Sequence, residues 1–401
     1  MRIRVLLSVL VLSPSVLLSQ QFSGFADFLR KYEASPPEVR QTVARAFVAW
    51  QQARGGFPIV EADGNAVFFY LGRGDEADVR VVGDFRPGSF FSVYWDTVGE
   101  PLTRAGGIFY RRRAFEPDAR IDYAFVVDGR RTPDPLNPRT LFSGPGGGEA
   151  SELVMPGHRL PAEVVERPGV PRGTLQVVRE PWAVPKVSVY LPPGYDRSRD
   201  YPTLYTTDGS AWAELVRLPT ILDNLIADRE IEPVIAVMID AAPDRSAWYS
   251  YNPDYLAYLR RVVEYVDGRY ATRKSAAQRL HAGSSAGGRA TAYVGLELPE
   301  LFGNLAMLSP SFSGPVYYWE PYFGGRKRPA PHLRVWMSAG TYEGYIHRDA
   351  QTMQAYFERV GIPTRAVYVH QGHSFGAWRE GAVQMLRHFL SRQGRSAVPI
   401  R

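Results

Sequence analysis

The five residues Gly283-Ser284-Ser285-Ala286-Gly287 constrain this chain more than any other stretch. They fit G-x-S-x-G, the pattern that lifts a serine onto a sharp turn between a buried strand and a helix. Such a turn strains the serine backbone and presses the flanking positions against neighbouring strands, so both are Gly. The apolar Leu280-His281-Ala282 before it reads as the end of a strand, and Arg289 to Leu296 after it can wind into a helix. Centring the pattern on Ser284 would put Ala282 and Ala286 where glycines belong, so Ser285 is the register. The alternative is a purely structural Gly/Ser turn, and the supporting residues decide between the two.

A serine hydroxyl is a poor nucleophile near neutral pH. It needs a base within hydrogen-bond reach, and the base needs an acid to orient it. After Ser285 the chain offers an acid and then a histidine, in that order. His373 follows the strand-like run Ala366-Val367-Tyr368-Val369 and sits in a Gly372-His373 loop, at the carboxyl end of a strand where such sheets build their sites. Its rival, His370, stands at the end of the strand and is expected to point into packing, and His281 reads as a core residue. Glu343 lies in the loop after the strand-like Leu333 to Ser338, from which a carboxylate can reach the next strand's histidine. Asp349 competes with it but falls on a helix; either acid could instead be a helix N-terminal charge.

An anionic tetrahedral intermediate needs hydrogen-bond donors aimed at its oxygen. One is expected from the backbone N–H of Ala286, next after the serine. The other is expected from the loop Asp208-Gly209-Ser210-Ala211-Trp212 after the strand Thr203 to Thr207, through Gly209 and Ser210. An ordinary Asp-Gly turn is the alternative there. Trp212, Trp248, Tyr249, Tyr251 and Trp378 lie near these loops and could wall a pocket for a bulky acyl group; packing in the core is the alternative for each.

The chain has 401 residues, 45% of them hydrophobic, enough for two or three domains with packed cores. The net charge of +6 is spread along the chain, without a basic block interleaved with aromatics, so nucleic-acid binding is not expected. With no cysteine, disulfides are excluded and so is a lipid-modified cysteine. Arg2 and Arg4 followed by the apolar stretch Val5 to Leu18 read as an export signal over residues 1–20, with a secreted or periplasmic destination; a retained membrane-anchoring helix is the alternative.

Six segments follow. The signal (1–20) leads into a helical segment (21–56) that contains Pro37 to Trp50. Residues 57–155 are β-rich, with short runs such as Ala66 to Leu71, Val79 to Val82 and Tyr123 to Val127 parted by Gly, Asp and Pro turns, and read as a β-sandwich. A linker (156–180) precedes a catalytic domain (181–392) in which strands at Val187, Thr203, Val234, Leu280, Leu305, Leu333 and Ala366 alternate with helices. That alternation means a largely parallel sheet covered on both faces, an α/β class. A loose tail (393–401) closes the chain.

The second domain resembles the putative-esterase branch of the α/β-hydrolases, and within it the enterochelin (ferric-siderophore) esterases. The resemblance is carried by Val189-Tyr190-Leu191-Pro192-Pro193-Gly194-Tyr195, Leu204 to Gly209 with Trp212, Arg245 to Asn252, Gly283 to Gly288, Ser309-Pro310-Ser311, Ala339 to Glu343, and Gly372-His373. It implies an α/β-hydrolase fold, a triad of Ser285, Glu343 and His373, and substrate contacts near Arg245, although Trp248 stands where relatives often carry an acidic residue. Val82-Gly83-Asp84-Phe85 and Tyr123 to Gly129 are similar to early-set, immunoglobulin-like glycogen-binding modules. Arg86-Pro87-Gly88 replaces the usual sugar-binding tryptophan. The expectation is a serine ester hydrolase without metal or organic cofactor, acting on a small-molecule or glycan-linked ester. Feruloyl or acetyl esterase activity, acyl transfer to a hydroxyl, and a catalytically dead glycan-binding protein stay open.

Overall fold

The computed structural model describes residues 22–85, 98–144, 148–312 and 329–391. The signal and tail segments and Arg86 to Gly88 lie outside these residues. Among the described residues, no helix is long and apolar enough to cross a membrane.

The first domain is built on two antiparallel sheets. One runs in the order Ile59–Val60, Asn65–Leu71, Ile108–Ala114, Thr103–Ala105. The other runs Glu100–Pro101, Val79–Gly83, Arg120–Val127, Glu149–Val154, Thr140–Phe142, with Arg130–Thr132 beside Arg120–Val127. The strand Asn65–Leu71 shows why the layers form. Successive side chains leave a strand on opposite faces. Ala66, Phe68 and Tyr70 pack with Tyr123 and Phe125 of the other sheet, while Val67 and Phe69 face two helices, Phe25–Ala34 and Pro37–Gln52. The helices are pinned by Phe28 stacked on Phe47, ring centres 3.9 Å apart. Each such buried ring stabilises the layer by roughly 1.5–3 kcal/mol. The helix Phe25–Ala34 is additional to the one read from sequence.

The second domain is an eight-stranded sheet. Its strands are β1 (Thr174–Val177), β2 (Val187–Leu191), β3 (Thr203–Thr206), β4 (Ile235–Ile239), β5 (Arg279–Ser284), β6 (Asn304–Leu308), β7 (Arg334–Gly340) and β8 (Thr364–Val369). They lie in the order β1-β2-β4-β3-β5-β6-β7-β8, antiparallel at β1-β2-β4 and parallel from there on. β1 falls inside the stretch read as linker. All four of its residues are exposed, so the short alternation Thr174-Leu175-Gln176-Val177 buries no face and the strand joins the sheet chiefly by backbone pairing.

Helices cover both faces. They are α1 (Gly209–Glu214), α2 (Leu218–Ala227), α3 (Pro253–Arg269), α4 (Ala286–Glu297), α5 (Tyr345–Arg359) and α6 (Phe375–Leu390). Ile235, Val237, Ile239, Leu305, Met307, Val335 and Met337 pack towards α3, α4 and α5. Their alternates Ala236, Met238, Ala306, Leu308 and Trp336 pack towards α2 and α6. This period-two division is what a sheet buried on both faces requires. The α/β-hydrolase sheet preceded by a β-sandwich is therefore the fold expected from the sequence.

Candidate active site

Ser285 joins β5 to α4 at φ 57° and ψ −123°, a region that non-glycine residues rarely occupy. The turn is over-determined by its surroundings. Ser285 N–H donates to Leu308 O at 2.9 Å, and Ser311 N–H donates to Ser285 O at 3.0 Å. A Cβ on Gly283 would overlap the Gly287 carbonyl, and one on Gly287 would overlap the Thr207 hydroxyl, which explains both glycines. Between Arg279 and Leu296, Ser285 is the one residue that is not buried.

His373 Nε2 lies 2.9 Å from Ser285 Oγ. His373 is likewise the one residue from Gln371 to Trp378 that is not buried. On its other side, Nδ1 is 3.6 Å from Oε2 of Glu343, whose carboxylate side chain is fully buried. Glu343 Oε1 accepts a hydrogen bond from Ser309 Oγ at 2.6 Å, and that hydroxyl accepts from Trp378 Nε1 at 2.9 Å. The Trp378 ring stands edge-on to the imidazole, centres 5.0 Å apart. Ser309 itself sits at φ 45°. The sequence reading passed over its part in this chain of contacts, because nothing local to residue 309 points to a carboxylate 34 positions away. The arrangement provides a hydroxyl in contact with a base and a buried carboxylate facing that base, which is the layout that acyl transfer through serine requires.

Ala286 and Gly209 each open a helix, α4 and α1, and amides in a first helical turn have no acceptor within their own helix. Gly209 is packed so closely on the backbone of Met238 and Ile239 that no Cβ fits. Ser210 corrects the expectation for this loop. Its N–H donates to Asp240 Oδ1 at 2.5 Å and its hydroxyl to Asp240 Oδ2 at 2.8 Å, so it cannot also serve an oxyanion.

The aromatic and arginine candidates divide. Trp212 is wholly buried in the core beneath the sheet, and Trp378 is committed to Ser309, so neither is a pocket wall. Arg245 grips Asp208 with both arms, at 2.6 and 2.9 Å, and its outer nitrogen lies 3.5 Å from Ser284 O. It therefore ties the Gly209 loop to the serine turn. Trp248 and Tyr251 are partly exposed, the first against Tyr255 and Tyr258 and the second edge-on to Tyr293. Tyr249 is buried, and its hydroxyl accepts from Asp208 N–H at 2.9 Å.

The rival residues are engaged elsewhere. His370 does not enter the packing; its Nδ1 meets Asp118 of the first domain at 2.5 Å. Asp349 is on α5. His281 is buried under the turn, with Nε2 2.8 Å from Tyr255 Oη and Nδ1 2.9 Å from Thr291 Oγ1. Thr291 donates its only proton to Gly287 O, so it accepts from Nδ1–H, and Nε2 accepts from the tyrosine. Burial pushes the His281 pKa down to about 3, in keeping with a neutral ring.

One group of acids, Glu163, Asp228 and Glu230, has oxygens close enough to share a cation. Arg167 and Arg387 already bridge it at 2.5–2.9 Å. A cavity of about 530 Å³ lies in the first domain beside Trp50, Arg54, Arg139 and Glu152; Ser285, Glu343 and His373 are not among its walls.

Comparison with known proteins gives this geometry a context. The iron(III) enterobactin esterase of Escherichia coli O6:H1 is 27% identical over 270 residues, covering 63% of this chain and 66% of its own length. An endo-1,4-β-xylanase/feruloyl esterase of Xylanibacter ruminicola is 27% identical over 210 residues, 48% of this chain and 27% of its own. The chain thus spans just under two thirds of the first relative and about a quarter of the second. The crystal structure of ferric enterobactin esterase from Salmonella typhimurium superposes with a TM-score of 0.69 at 22% identity, over 84% of this chain and 97% of that one, and shares its fold. A model of the family described as "Putative esterase" matches residues 183–389, and the chain belongs to that family.

Proposed function

We propose that this protein is an exported serine carboxylic-ester hydrolase in which Ser285 is the nucleophile, His373 the general base and Glu343 its orienting acid. The observation that carries the reading is the 2.9 Å approach of His373 Nε2 to the hydroxyl of a serine held on a strained turn. The imidazole removes the Ser285 proton as Oγ attacks the ester carbonyl. The buried Glu343 carboxylate steadies the imidazolium that forms, closing from 3.6 Å as charge develops. The N–H groups of Ala286 and Gly209 hold the oxyanion. His373 then protonates the leaving alcohol, and water, deprotonated by the same imidazole, releases the acid. No step needs a metal or organic cofactor.

The relatives' names support a substrate of the enterobactin or feruloyl ester kind. Among the described residues, Trp248 and Tyr251 are partly exposed aromatic surfaces that such an acyl group could use. Export rests on the amino-terminal sequence, and mass spectrometry of the secreted protein's N-terminus tests it. For the chemistry, the purified protein should hydrolyse a short-chain aryl ester. Ser285→Ala should lower kcat/KM by at least ~10⁴-fold without loss of fold. Turnover by the variant equal to wild type would discard the esterase assignment. A side-by-side assay on enterobactin and on a feruloylated sugar chooses between the two ester classes.

A further inference from the structure

The first domain reaches the loop that carries His373 at alternate residues. Arg120 N–H donates to His370 O at 3.0 Å, and Arg120 pairs with Gln371 as an isolated parallel bridge. The Arg120 side chain is 4% exposed. Its Nη1 donates to Ser374 Oγ at 3.2 Å, while Asp122 and Glu152 hold its other nitrogens at 3.1 and 2.6 Å. Ser374 caps α6 by accepting from Ala377 N–H. Asp84 lies so close to Gly372 that any Cβ there would overlap its side chain, and Gly376 is packed against the Arg120 guanidinium in the same way. On the neighbouring loop, Tyr342 donates to Glu116 of the first domain, one residue before Glu343.

Residues 370, 372, 374 and 376 are thus gripped from the first domain, and His373 is left pointing at Ser285. A buried guanidinium against the positive end of a helix is an expensive way to join two domains, and an apolar contact would join them more cheaply. What the guanidinium adds is a fixed direction, because its fork meets three partners at once.

We infer that Arg120 and Asp84 are positioning residues: the first domain sets the backbone of residues 370–376 and, through it, the approach of His373 Nε2 to Ser285 Oγ. The inference rests on the reading of His373 as the base. It gives the β-sandwich a part in the reaction without any ligand of its own.

The test uses the full purified chain, an aryl ester, and a fluorophosphonate that labels an activated serine. Gly372→Ala, which drives a methyl group into Asp84, should lower kcat by about 10- to 100-fold with KM within about twofold. Serine labelling should slow by the same factor while thermal unfolding stays cooperative. Adding Asp84→Gly removes the three atoms nearest the new methyl group but also the brace that Asp84 supplies, and should restore only part of the loss. Arg120→Lys keeps a charge for Asp122 and Glu152 but not the fork, and should lower kcat about 10-fold on the same kcat-against-KM split. Unchanged kcat in Gly372→Ala, or no relief at all from Asp84→Gly, overturns the inference, and full recovery strikes Asp84 from it. If Gly372→Ala does not fold, unchanged kcat in Arg120→Lys overturns it. Ser285→Ala is run alongside. Persistent turnover there would sink the esterase reading itself, whereas a silent Ser285→Ala beside indifferent Arg120 and Gly372 variants sinks only the positioning role.

Discussion

Ser285 and His373 are in contact, yet they are held in different ways. Ser285 is fixed from within its own sheet: by the strained turn, by the Leu308 carbonyl, by Ser311 N–H, and by glycines that let Thr207 and α4 close in. His373 stands in a loop after the last strand of the sheet. Its bracing comes from Trp378 and Glu343 on one side and from Arg120 and Asp84, more than 200 positions earlier in the chain, on the other. The contrast teaches that a nucleophile can be specified by one short segment, whereas a base that must meet it is specified by everything that packs around its loop. Damage to the packing that holds the serine turn should appear as lost folding stability. Damage to the histidine side should appear as lost turnover in a protein that still folds.

Among the residues that brace Ser285 and His373, the largest effect is expected on the histidine side. Glu343→Gln keeps the shape of the acid but not its charge, and should lower kcat on the order of 10³-fold with little change in melting temperature. A variant as fast as wild type would mean that the 3.6 Å approach to Nδ1 is not used. On the serine side, Gly283→Ala forces a methyl group onto the Gly287 carbonyl, a backbone atom that cannot swing away. Chemical denaturation should show a loss of about 3 kcal/mol or failure to fold, and full stability would show the turn to be softer than its contacts imply.

His281 sharpens the contrast through pH. The folded state keeps this ring neutral, with a pKa of about 3, while the unfolded chain protonates it near 6.5. Below pH 6.5 the unfolded state therefore binds more protons, and stability falls with pH at up to about 1.4 kcal/mol per unit. Between pH 6.5 and 5 wild type should lose about 2 kcal/mol from this group, a component absent in His281→Gln. Parallel pH curves for the two proteins would contradict it. Smallest is Ser309→Ala, which removes the donor to Glu343 Oε1 and the acceptor of Trp378 Nε1. It should cost about tenfold in kcat and about 1–2 kcal/mol in stability, read by steady-state kinetics and urea unfolding.

What the sequence shows and what it hides follow the same division. The serine turn is legible because its glycines, strand and helix are all local, and period-two apolar runs mark the central strands for the same reason. The β1 strand is hidden because its alternation spans only four residues, too few to stand out from a linker. Trp212 and Trp378 look like pocket walls because sequence places an aromatic near a loop without saying which way it faces; burial decided both. The Ser210 amide looks available until Asp240, thirty residues on, is seen to occupy it. Arg120 is one of many arginines in the sequence, and only the folded chain shows that it ends beside Ser374.

The aromatic cluster over the first sheet bears on how the N-terminus can be trimmed. Phe22 is buried, with ring centres 5.4 Å from Phe47, 5.8 Å from Trp50 and 5.9 Å from Phe28. A peptidase that cuts at or before Gln21 leaves this ring in place. One that nibbles a single residue further takes a keystone from the arch, at about 3–5 kcal/mol for a ring of this size. On the proposed export, the ragged ends that trimming tolerates should therefore stop abruptly at position 22.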